Sequence, residues 1–447
     1  MANTYLTRTP SSAGNQKIFT LSFWWKNNSQ QNSDKCFFSS GLNSSNYFMI
    51  RTTGNEEIQI LNIDNGSQAI NYKPNRYYRD ANAWYHIVIA IDTTQGSGDR
   101  IKWYTNGVRE TSFSSSTEPS SNANVLYVND TTAHAIGRKN VTSDKYMEGT
   151  LSHYHFIDGT QYAASDFGET DANGVWKIKT DVSVTYGTNG FFILKDGNSV
   201  TDQSGNGNNF TVAGGTLTKT EDCPSNVFPT INPLTYSTAK WNLEYGNLRT
   251  NGLASGESAA WRSVYGTLGA SSGKYYFEMK VTSTYSVDPN YIIVGIIDAE
   301  QMEYPGDNGQ FTDNSRGYGY QGTNGNKVNA GGSSYGANFT TNDIIGCAFD
   351  LDNHKIYWSK NGVWQNSGDP TSGATGTGSA FDLATGYTYL PAVTHFYDDD
   401  RIEFNFGNGY FGTTAVSSAG TNASGNGIFE YDVPTGYTAL STKGLNL

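Results

Sequence analysis

The sequence predicts an all-β protein in which two antiparallel β-sandwiches are joined by an ordered, turn-rich connector. Glycine is abundant, with 50 Gly against 11 Pro, and aromatic residues make up 14% of the 447 residues. Many short strands joined by tight turns produce such a composition. Helical periodicity is almost absent, and one or two helical turns are expected over residues 161–168. A single antiparallel sheet would leave one apolar face in water, so the strands are expected to pair into sandwiches.

The first sandwich is expected over residues 1–165. In one of its strands, Phe19, Leu21 and Phe23 form an apolar face, and residues 84–92 are apolar enough for a central strand. Further strands are expected at residues 101–108, 135–137 and 151–157.

Residues 166–235 have weaker strand signals and are expected to be an ordered connector that packs on its neighbours. A short apolar strand is expected at residues 191–194, between two turn-rich stretches. Pro224, Pro229 and Pro233 bias the end of this segment towards extended conformations.

The second sandwich is expected over residues 236–447, with a C-terminal tail. Residues 275–281 alternate between apolar and polar side chains, and residues 291–297 have the continuous apolar character of a fully buried strand. The remaining strands are expected at residues 344–351, 355–363, 401–406 and 429–431.

Both predicted sandwiches contain the same local pattern. An apolar strand ends in an aspartate, Asp92 or Asp350, and the next strand ends in Asn-Gly, at residues 106–107 or 361–362. Asn-Gly tolerates the positive φ angles of a type I′ turn, so a hairpin is expected at each position. Duplication would explain the pattern, but similar turn chemistry in two similar sandwiches explains it as well.

The charge balance restricts the classes of partner. The 29 Lys and Arg residues against 41 Asp and Glu residues give a net charge of −12. A nucleic-acid-binding protein needs a dense basic surface, and an anionic membrane attracts basic rather than acidic segments. No apolar run approaches the ~18 residues of a membrane helix, and the N-terminus lacks the apolar segment of a secretory signal. We expect no nucleic-acid partner, no membrane insertion and synthesis in a cytoplasm.

The three cysteines, Cys36, Cys223 and Cys347, are odd in number and far apart in sequence. A disulfide framework is therefore not expected. Cys347 lies in an apolar run and is expected to be a buried, unreactive thiol.

Two families are similar to the two predicted sandwiches. The first resembles the laminin-G-like, concanavalin-A-like jelly rolls, in Trp84-Tyr85-His86 and in residues 103–107, 136–138 and 149–159. The second resembles a SPRY domain, in residues 273–278, 294–296, 317–320 and, most specifically, 343–362. The resemblance implies two jelly-roll-type sandwiches.

The connector is similar to a segment that follows such jelly rolls in tailed-phage proteins, in residues 166–170, 174–176, 186–191, 204–210 and 230–234. This resemblance implies a virion protein of the tail-fibre or appendage type, located on the virion surface after assembly in the host cytoplasm. Its implied partners are other virion proteins and a host surface glycan or receptor, with a homo-oligomer, such as a trimer, expected. The jelly roll starts almost at residue 1, without a long shaft, so a capsid decoration or head-fibre protein is the alternative.

Metal sites have little support in the sequence. His153 and His155 are two residues apart on a predicted strand and are expected to project from one face, but no third ligand is placed by the sequence. Calcium binding needs several oxygen ligands, and two sets are candidates: the acidic triplet at 398–400, and a laminin-G-like rim of Asp92, Asp99 and Asp158. We expect no cofactor, and calcium is the alternative.

Catalytic chemistry is not expected either. Glycoside hydrolysis needs two carboxylates about 5–10 Å apart, yet Glu278 is alone on its strand, and Asp350 and Asp352 flank a turn. The Gly-rich residues 317–320 are not followed by a helix that could bind phosphate. A carbohydrate-active enzyme, or its sugar-binding module, is kept as a second alternative to a virion protein.

Binding is better supported than catalysis, because Tyr and Trp offer large, stiff surfaces for sugar or protein contacts. Loops on a rigid scaffold are the expected place for such contacts. The candidate binding residues, expected on loops at the rim of the SPRY-like sandwich, are Trp261, Tyr265, Tyr304, Tyr318, Tyr320 and Tyr335. We predict a non-enzymatic virion surface protein that adheres to the host through these loops.

Overall fold

The structure is a computed structural model that describes residues 3–28, 34–195, 199–234, 242–251, 261–284, 291–302, 309–397 and 399–446. The chain folds as two units, residues 1–219 and 220–447.

The first unit is built from short strands and one turn of 3-10 helix, at Ala164–Asp166, where a helical turn was expected. Its strands are β1 (Tyr5–Arg8), β2 (Ile18–Lys26), β3 (Cys36–Asn43), β4 (Asn46–Thr52), β5 (Ile58–Asp64), β6 (Ser67–Pro74), β7 (Trp84–Asp92), β8 (Ile101–Thr105), β9 (Val108–Arg109), β10 (Phe113–Thr117), β11 (His134–Ile136), β12 (Thr150–Asp158), β13 (Gly168–Thr170), β14 (Trp176–Ile178), β15 (Phe191–Ile193) and β16 (Thr211–Gly214).

Two sheets of this unit face each other across its core. One has the strand order β10-β6-β5-β4-β3-β11-β1-β16, and the other has the order β15-β12-β2-β7-β8-β9. Alternation along β7 explains the packing, since Ile87, Ile89 and Ile91 lie in the core whereas His86 and Val88 belong to the opposite face. Aromatic pairs such as Phe23 with Tyr154, whose ring centroids are 5.0 Å apart, fill the space between the sheets.

The segment after residue 165 completes this sandwich instead of only linking it to the next. β15 pairs antiparallel with β12, and β16 pairs antiparallel with β1, so each strand extends one of the two sheets. We expected residues 166–235 to be a packed connector. The structure assigns residues up to 219 to the first unit because their strands share its sheets.

The second unit has the strands β17 (Asn242–Glu244), β18 (Arg249–Asn251), β19 (Arg262–Tyr265), β20 (Lys274–Ser283), β21 (Ile293–Asp298), β22 (Gly317–Gln321), β23 (Asn326–Val328), β24 (Gly332–Ser334), β25 (Ile344–Asp350), β26 (Lys355–Lys360), β27 (Val363–Trp364), β28 (Phe381–Asp382), β29 (Tyr389–His395), β30 (Arg401–Asn405), β31 (Tyr410–Phe411), β32 (Thr414–Ala415) and β33 (Thr438–Ala439). Short 3-10 helices lie at Ala299–Gln301, Phe311–Asp313, Gln365–Ser367, Pro370–Thr375 and Gly444–Asn446.

Two sheets again enclose the core of this unit. The first has the order β17-β18-β30-β20-β25-β26-β27, with β28 on β26 and β33 on β20, and the second has the order β19-β29-β21-β22-β23-β24. Phe277, Trp358 and Phe404 are fully buried between them. The predicted strand at residues 429–431 is not formed; Phe429 is buried in the core, and the last strand pairing involves β33 instead.

The all-β prediction is confirmed, since the regular elements of the described residues are strands and short 3-10 helices. In that part of the chain, no helix has the length and apolar character needed to cross a membrane.

The three cysteines are free, as predicted. Cys36 and Cys347 are buried, and burial raises the pKa of the Cys36 thiol to about 12 and the pKa of the Cys347 thiol well above its usual value. Both thiols are therefore protonated and unreactive at neutral pH.

Candidate functional site

The candidate binding residues do not form a loop rim. Tyr265 lies on β19, Tyr318 and Tyr320 lie on β22, and Tyr335 follows β24; all four are buried. Trp261 is half-buried just before β19, and the sixth candidate, at position 304, lies outside the described residues.

Core packing explains why the four tyrosines are buried. The Tyr320 ring stacks on Trp358 at 5.8 Å between centroids, and Tyr335 meets the same tryptophan edge-on at 5.9 Å. The Tyr335 hydroxyl accepts a hydrogen bond from the Trp358 backbone N–H, and the Tyr318 hydroxyl accepts one from the Ala384 backbone N–H. The expected loop position is wrong for Tyr265, Tyr318 and Tyr320, which lie on strands, whereas Tyr335 lies outside the strands but is buried. A contact of any candidate residue with a partner stays a prediction.

A different group of aromatic side chains lies together at one edge of the second unit. Trp261, Tyr291, Phe396 and Tyr397, which we call the aromatic cluster, are all partly exposed. Ring centroids are 4.9 Å apart between Trp261 and Phe396, 5.4 Å between Tyr291 and Phe396, and 4.8 Å between Phe396 and Tyr397. These distances are those of favourable edge-on and tilted aromatic pairs.

Sheet register brings the aromatic cluster together. β29 lies between β19 and β21 and is antiparallel to both, with Arg262 opposite His395 and Ile293 opposite Thr394. The start of β19, the start of β21 and the end of β29 therefore meet at one sheet edge. Aromatic residues that flank these strand ends must lie side by side, although Phe396 and Tyr397 are more than a hundred residues from Trp261 and Tyr291 in sequence.

Two polar contacts involve the strands that carry the aromatic cluster. The Ser263 and Thr394 hydroxyls form a hydrogen bond of 2.7 Å, and His395 Nε2 is 2.8 Å from the Thr250 hydroxyl. Burial lowers the pKa of His395 to about 3, so this imidazole is neutral at physiological pH. The buried imidazole is therefore not a proton donor or acceptor poised for catalysis, and the edge offers an aromatic surface that suits contact.

The sequence indicated Trp261 but not the other three members of the aromatic cluster. Tyr291 was included in a strand, and Phe396-Tyr397 follow a strand, β29, that was not predicted. The available signal was the position of aromatic residues at the ends of apolar strands. Only the strand order shows which of these ends are neighbours.

The acidic residues considered for catalysis are occupied by structural hydrogen bonds. The carboxylate of Glu278, which is fully buried, accepts bonds from the Tyr276 hydroxyl, the Asn405 amide and the backbone N–H groups of Glu430 and Tyr431. Burial raises the pKa of Glu278 to about 7, and these hydrogen bonds act in the opposite direction. This residue therefore anchors the C-terminal segment to β20.

Asp350 is occupied in the same way. Its carboxylate accepts bonds from the backbone N–H groups of Asp352 and Asn353 and from the Asn353 side chain, and it lies 3.0 Å from the Lys274 ammonium. These contacts close the turn after β25, which is a structural role.

The two histidines considered for a metal lie at an irregularity in β12. The pairing of β12 with β2 shifts register between Ser152 and His155, and His153 has a positive φ of 48°. His153 Nδ1 is 2.7 Å from the Ser152 hydroxyl, and His155 Nδ1 is 2.8 Å from the Tyr186 hydroxyl. Across the described residues, no three His, Cys, Asp or Glu side chains are grouped so that they could hold a metal ion.

The aspartates considered for calcium bind different partners. Asp92 accepts bonds from Thr94 and Gln95, and the Asp99 carboxylate is 2.7 Å from an Arg109 nitrogen. The Asp158 carboxylate accepts bonds from the backbone N–H of Asn15, the side-chain amide of Asn129 and the backbone N–H of Asn189. The triplet at 398–400 is only partly described, because position 398 lies outside the described residues.

Comparison with family models identifies both parts of the chain. Residues 2–165 match the model described as the concanavalin A-like lectin/glucanases superfamily, and residues 274–409 match the SPRY domain. Each match agrees with the sandwich that the structure shows in that region.

Three known proteins similar to this chain come from two animals and a plant. A Ran-binding proteins 9/10 homolog of Drosophila melanogaster is 33% identical over 130 residues, which are 27% of this chain and 12% of that protein. Ran-binding protein 9 of Xenopus tropicalis is 31% identical over 128 residues, which are 27% of this chain and 22% of that protein. The E3 ubiquitin-protein ligase RKP of Arabidopsis thaliana is 34% identical over 90 residues, 20% of this chain and 6% of that protein. The matches thus span less than a quarter of each relative.

These findings overturn the predicted function. A phage appendage that adheres to a host is wrong, because the similar proteins are eukaryotic proteins named for Ran binding and ubiquitin ligation. The capsid-decoration and carbohydrate-active alternatives have no support from them, and neither do virion or glycan partners. The virion-surface location and the homo-oligomer are not tested and stay predictions.

The predicted domain families are confirmed. The chain carries an N-terminal laminin-G/concanavalin-A-like domain and a C-terminal SPRY domain.

Proposed function

We propose that this chain is a non-catalytic protein-interaction protein that binds a protein partner at the aromatic cluster of its SPRY domain. The single observation that carries the proposal is the convergence of Trp261, Tyr291, Phe396 and Tyr397 at one sheet edge, partly exposed and in mutual contact. Interfaces between proteins are enriched in Trp, Tyr and Phe, and such residues dominate measured binding energies.

The scaffold under the aromatic cluster suits recognition. The three strands that place it are hydrogen-bonded neighbours in one sheet, so ordering the rings costs little further conformational entropy on binding. A rigid anchor of this kind favours a partner with a complementary apolar surface. The absence of catalysis is part of the proposal and rests on Glu278 and Asp350 being engaged in structural hydrogen bonds.

Ran is the first protein to test as a partner, because the names of two relatives state that they bind Ran. Isothermal titration calorimetry of the full chain with purified Ran, in its GDP-bound and GTP-bound forms, measures this directly. Heat of binding that Trp261→Ala removes would assign Ran to the aromatic cluster. Binding unaffected by that change would place Ran elsewhere on the protein.

Site-specific crosslinking tests the general proposal without assuming the partner. A photo-crosslinking phenylalanine analogue replaces Tyr397 in one variant and Tyr410, a partly exposed tyrosine outside the aromatic cluster, in the matched control. We expect specific protein adducts from position 397 only. We also expect their yield at a subsaturating concentration to fall about 30-fold with Trp261→Ala, the effect of losing one central interface aromatic worth about 2 kcal/mol. The same adducts from both positions would refute a site at the aromatic cluster.

A further inference from the structure

A small hairpin covers the outer face of the six-stranded sheet in the first unit. β13 and β14 pair with each other as a separate two-stranded sheet, and we call residues 168–178 the cap hairpin. The Trp176 ring lies directly over Gly107 and Gly168, where added Cβ atoms would come within 2.4 and 2.5 Å of it. The cap hairpin joins an apolar cluster with Val88 and Ile157 of the sheet below.

One hydrogen bond between the cap hairpin and the sheet depends on a neutral histidine. The Trp176 indole N–H can only donate, and it is 3.1 Å from Nδ1 of the buried His86. Nδ1 must therefore be the unprotonated acceptor, so the proton lies on Nε2, which is 2.9 Å from the Ser22 hydroxyl. A second proton on His86 would set one N–H against another and break the bond to Trp176.

Aromatic rings around His86 keep its imidazole buried and neutral. Trp24 stacks on His86 with ring centroids 4.6 Å apart, and the hydrogen-bonded Trp176 ring lies 5.9 Å away with a nearly parallel plane. This arrangement excludes water from the imidazole, and burial lowers the pKa of His86 to about 3. When the cap hairpin lifts, the imidazole meets water and its pKa rises towards the ordinary value of about 6.5.

Of the titratable groups near His86, His153 opposes a positive charge on it. By strand alternation, Lys26 on β2 and Lys102 on β8 share this face. His153 on β12 lowers the pKa of His86 and of His155, and His86 lowers the pKa of His155. Lys195, after β15, acts on His155. On the cap hairpin, exposed Glu169 lies opposite exposed Lys177, which pairs with Asp171 at 2.6 Å.

We propose that the cap hairpin is an acid-released cover, held over the six-stranded sheet by the Trp176–His86 hydrogen bond and displaced when His86 takes up a proton. Acid does not need to protonate the closed state. A proton binds His86 in the transiently open state and stabilises that state, which exposes the aromatic and apolar outer face of the sheet.

The linkage has a definite size. With a pKa of about 3 when closed and the ordinary value of about 6.5 as the upper limit when open, His86 raises the population of the open hairpin by up to about 30-fold between pH 7.5 and pH 5.0. The change is gradual across this range and begins near pH 6.5.

Hydrogen–deuterium exchange with mass spectrometry tests this on the full chain. Peptides that cover residues 166–180 are compared with peptides that cover β7 at pH 7.5 and pH 5.0, after correction for the intrinsic exchange rate. We expect the cap hairpin to exchange faster than β7 at both pH values and its opening to increase about 30-fold at pH 5.0. Equal exchange in the two regions at both pH values would overturn the proposal, because the hairpin would then open only when the whole unit unfolds.

A pair of variants isolates the histidine. His86→Gln keeps a side-chain oxygen that can accept the indole N–H but cannot titrate, so the pH dependence of hairpin opening should disappear. His134→Gln removes another buried histidine of the same unit, one that accepts the Asn129 backbone N–H, and should leave the 30-fold change intact. A 30-fold change that survives in His86→Gln would exclude this residue as the switch. The unsubstituted comparison with β7 decides the proposal if either variant fails to fold.

Discussion

The two Asn-Gly hairpins, one in each unit, have nearly the same φ angles. They differ in the hydrogen bond that holds the segment packed over each hairpin. Asn106 and Gly107 have φ angles of 47° and 80°, and Asn361 and Gly362 have 49° and 81°. Each asparagine bonds the neighbouring strand twice, through its backbone N–H and its side-chain oxygen, to His86 in the first unit and to Ile344 in the second. The Asn-Gly pattern in the sequence therefore specifies one turn structure in both units.

A later aromatic residue covers the glycine of each hairpin. Trp176 lies over Gly107, and Tyr431 lies over Gly362. In the first unit the covering residue bonds a neutral imidazole, whereas in the second its backbone N–H bonds the buried carboxylate of Glu278. The comparison shows that one turn can be covered in the same way by two attachments with opposite responses to protons.

Acidification should produce the largest difference in stability between the two units. Burial lowers the pKa of His86 to about 3, of His134 to about 4 and of His155 well below its usual value. Below pH 6.5 the unfolded chain therefore binds protons that the folded first unit does not, and its free energy of unfolding falls as pH falls. Each histidine contributes up to about 1.4 kcal/mol per pH unit, so the expected loss approaches 4 kcal/mol per unit well below pH 6.5.

The second unit should respond less, because two groups oppose each other. His395 lowers stability as pH falls below 6.5, while the raised pKa of Glu278, about 7, gives stability that is present at pH 4.5 and is lost as pH rises through 7. Exchange of the slowest amides of β7 and β25 in the full chain, at pH 6.5 and 5.0, measures both units at once. Equal acid sensitivity of the two strands would contradict this difference.

Glu278→Gln should produce the next largest effect. At pH 8 the carboxylate accepts four hydrogen bonds, and an amide would set its NH2 group against one pair of donors. We expect a loss of about 3 kcal/mol in the free energy of unfolding of the second unit by urea denaturation. At pH 5, where Glu278 is protonated, the loss should be smaller. The matched control, Glu300→Gln, alters a side chain that is 78% exposed and should change stability by less than about 0.5 kcal/mol. Similar losses of stability in both variants would contradict the role of Glu278 as an anchor of the C-terminal segment.

Substitution of the hairpin glycines should cost about 2 kcal/mol in each unit. Gly107→Ala and Gly362→Ala force a Cβ into a left-handed conformation and within 2.4 Å of the Trp176 ring or 2.6 Å of the Tyr431 ring. Gly66→Ala is the matched control, because Gly66 has a similar φ of 79° but nothing within 4 Å of the added atom. Its expected cost is about 1 kcal/mol, from the backbone alone. Urea denaturation that gives the same cost at all three positions would show that the covering rings move aside freely.

The smallest expected effect concerns the asparagines. Asn106→Gly and Asn361→Gly keep the positive φ but remove the side-chain oxygen that accepts the N–H of His86 or Ile344. We expect each change to cost about 1 kcal/mol of unfolding free energy, the net value of one hydrogen bond. A cost well above 2 kcal/mol in one unit only, by the same denaturation measurement, would show that the two turns are not equivalent.

The sequence was sufficient for features that depend on local chemistry. Alternation in residues 19–25 and 275–281 and the Asn-Gly turns follow from side-chain period and backbone preference, and the structure forms strands and turns there. Strand order depends instead on pairings between distant residues. For that reason the sequence places β15 and β16 in a connector. It also identifies only one member of the aromatic cluster, Trp261, as a candidate binding residue.

The errors at the candidate site have a similar physical origin. Tyr318 and Tyr320 lie in a Gly-Tyr repeat that looks like a loop, but each neighbouring glycine makes room for closely packed neighbours: a Cβ at Gly319 would come within 2.4 Å of the Ile293 side chain. The glycines therefore mark a tightly packed strand. Side-chain type alone does not separate that case from an exposed turn.

The pairing of β16 with β1 and of β15 with β12 has a practical consequence for dissecting this protein. A polypeptide cut at residue 165, where the match to the concanavalin A-like family model stops, would leave the N–H and C=O groups along one side of β1 and β12 without their native partners. Unprotected strand borders recruit other chains, so such a fragment would be prone to aggregate, and a fragment that runs to residue 219 retains the protection.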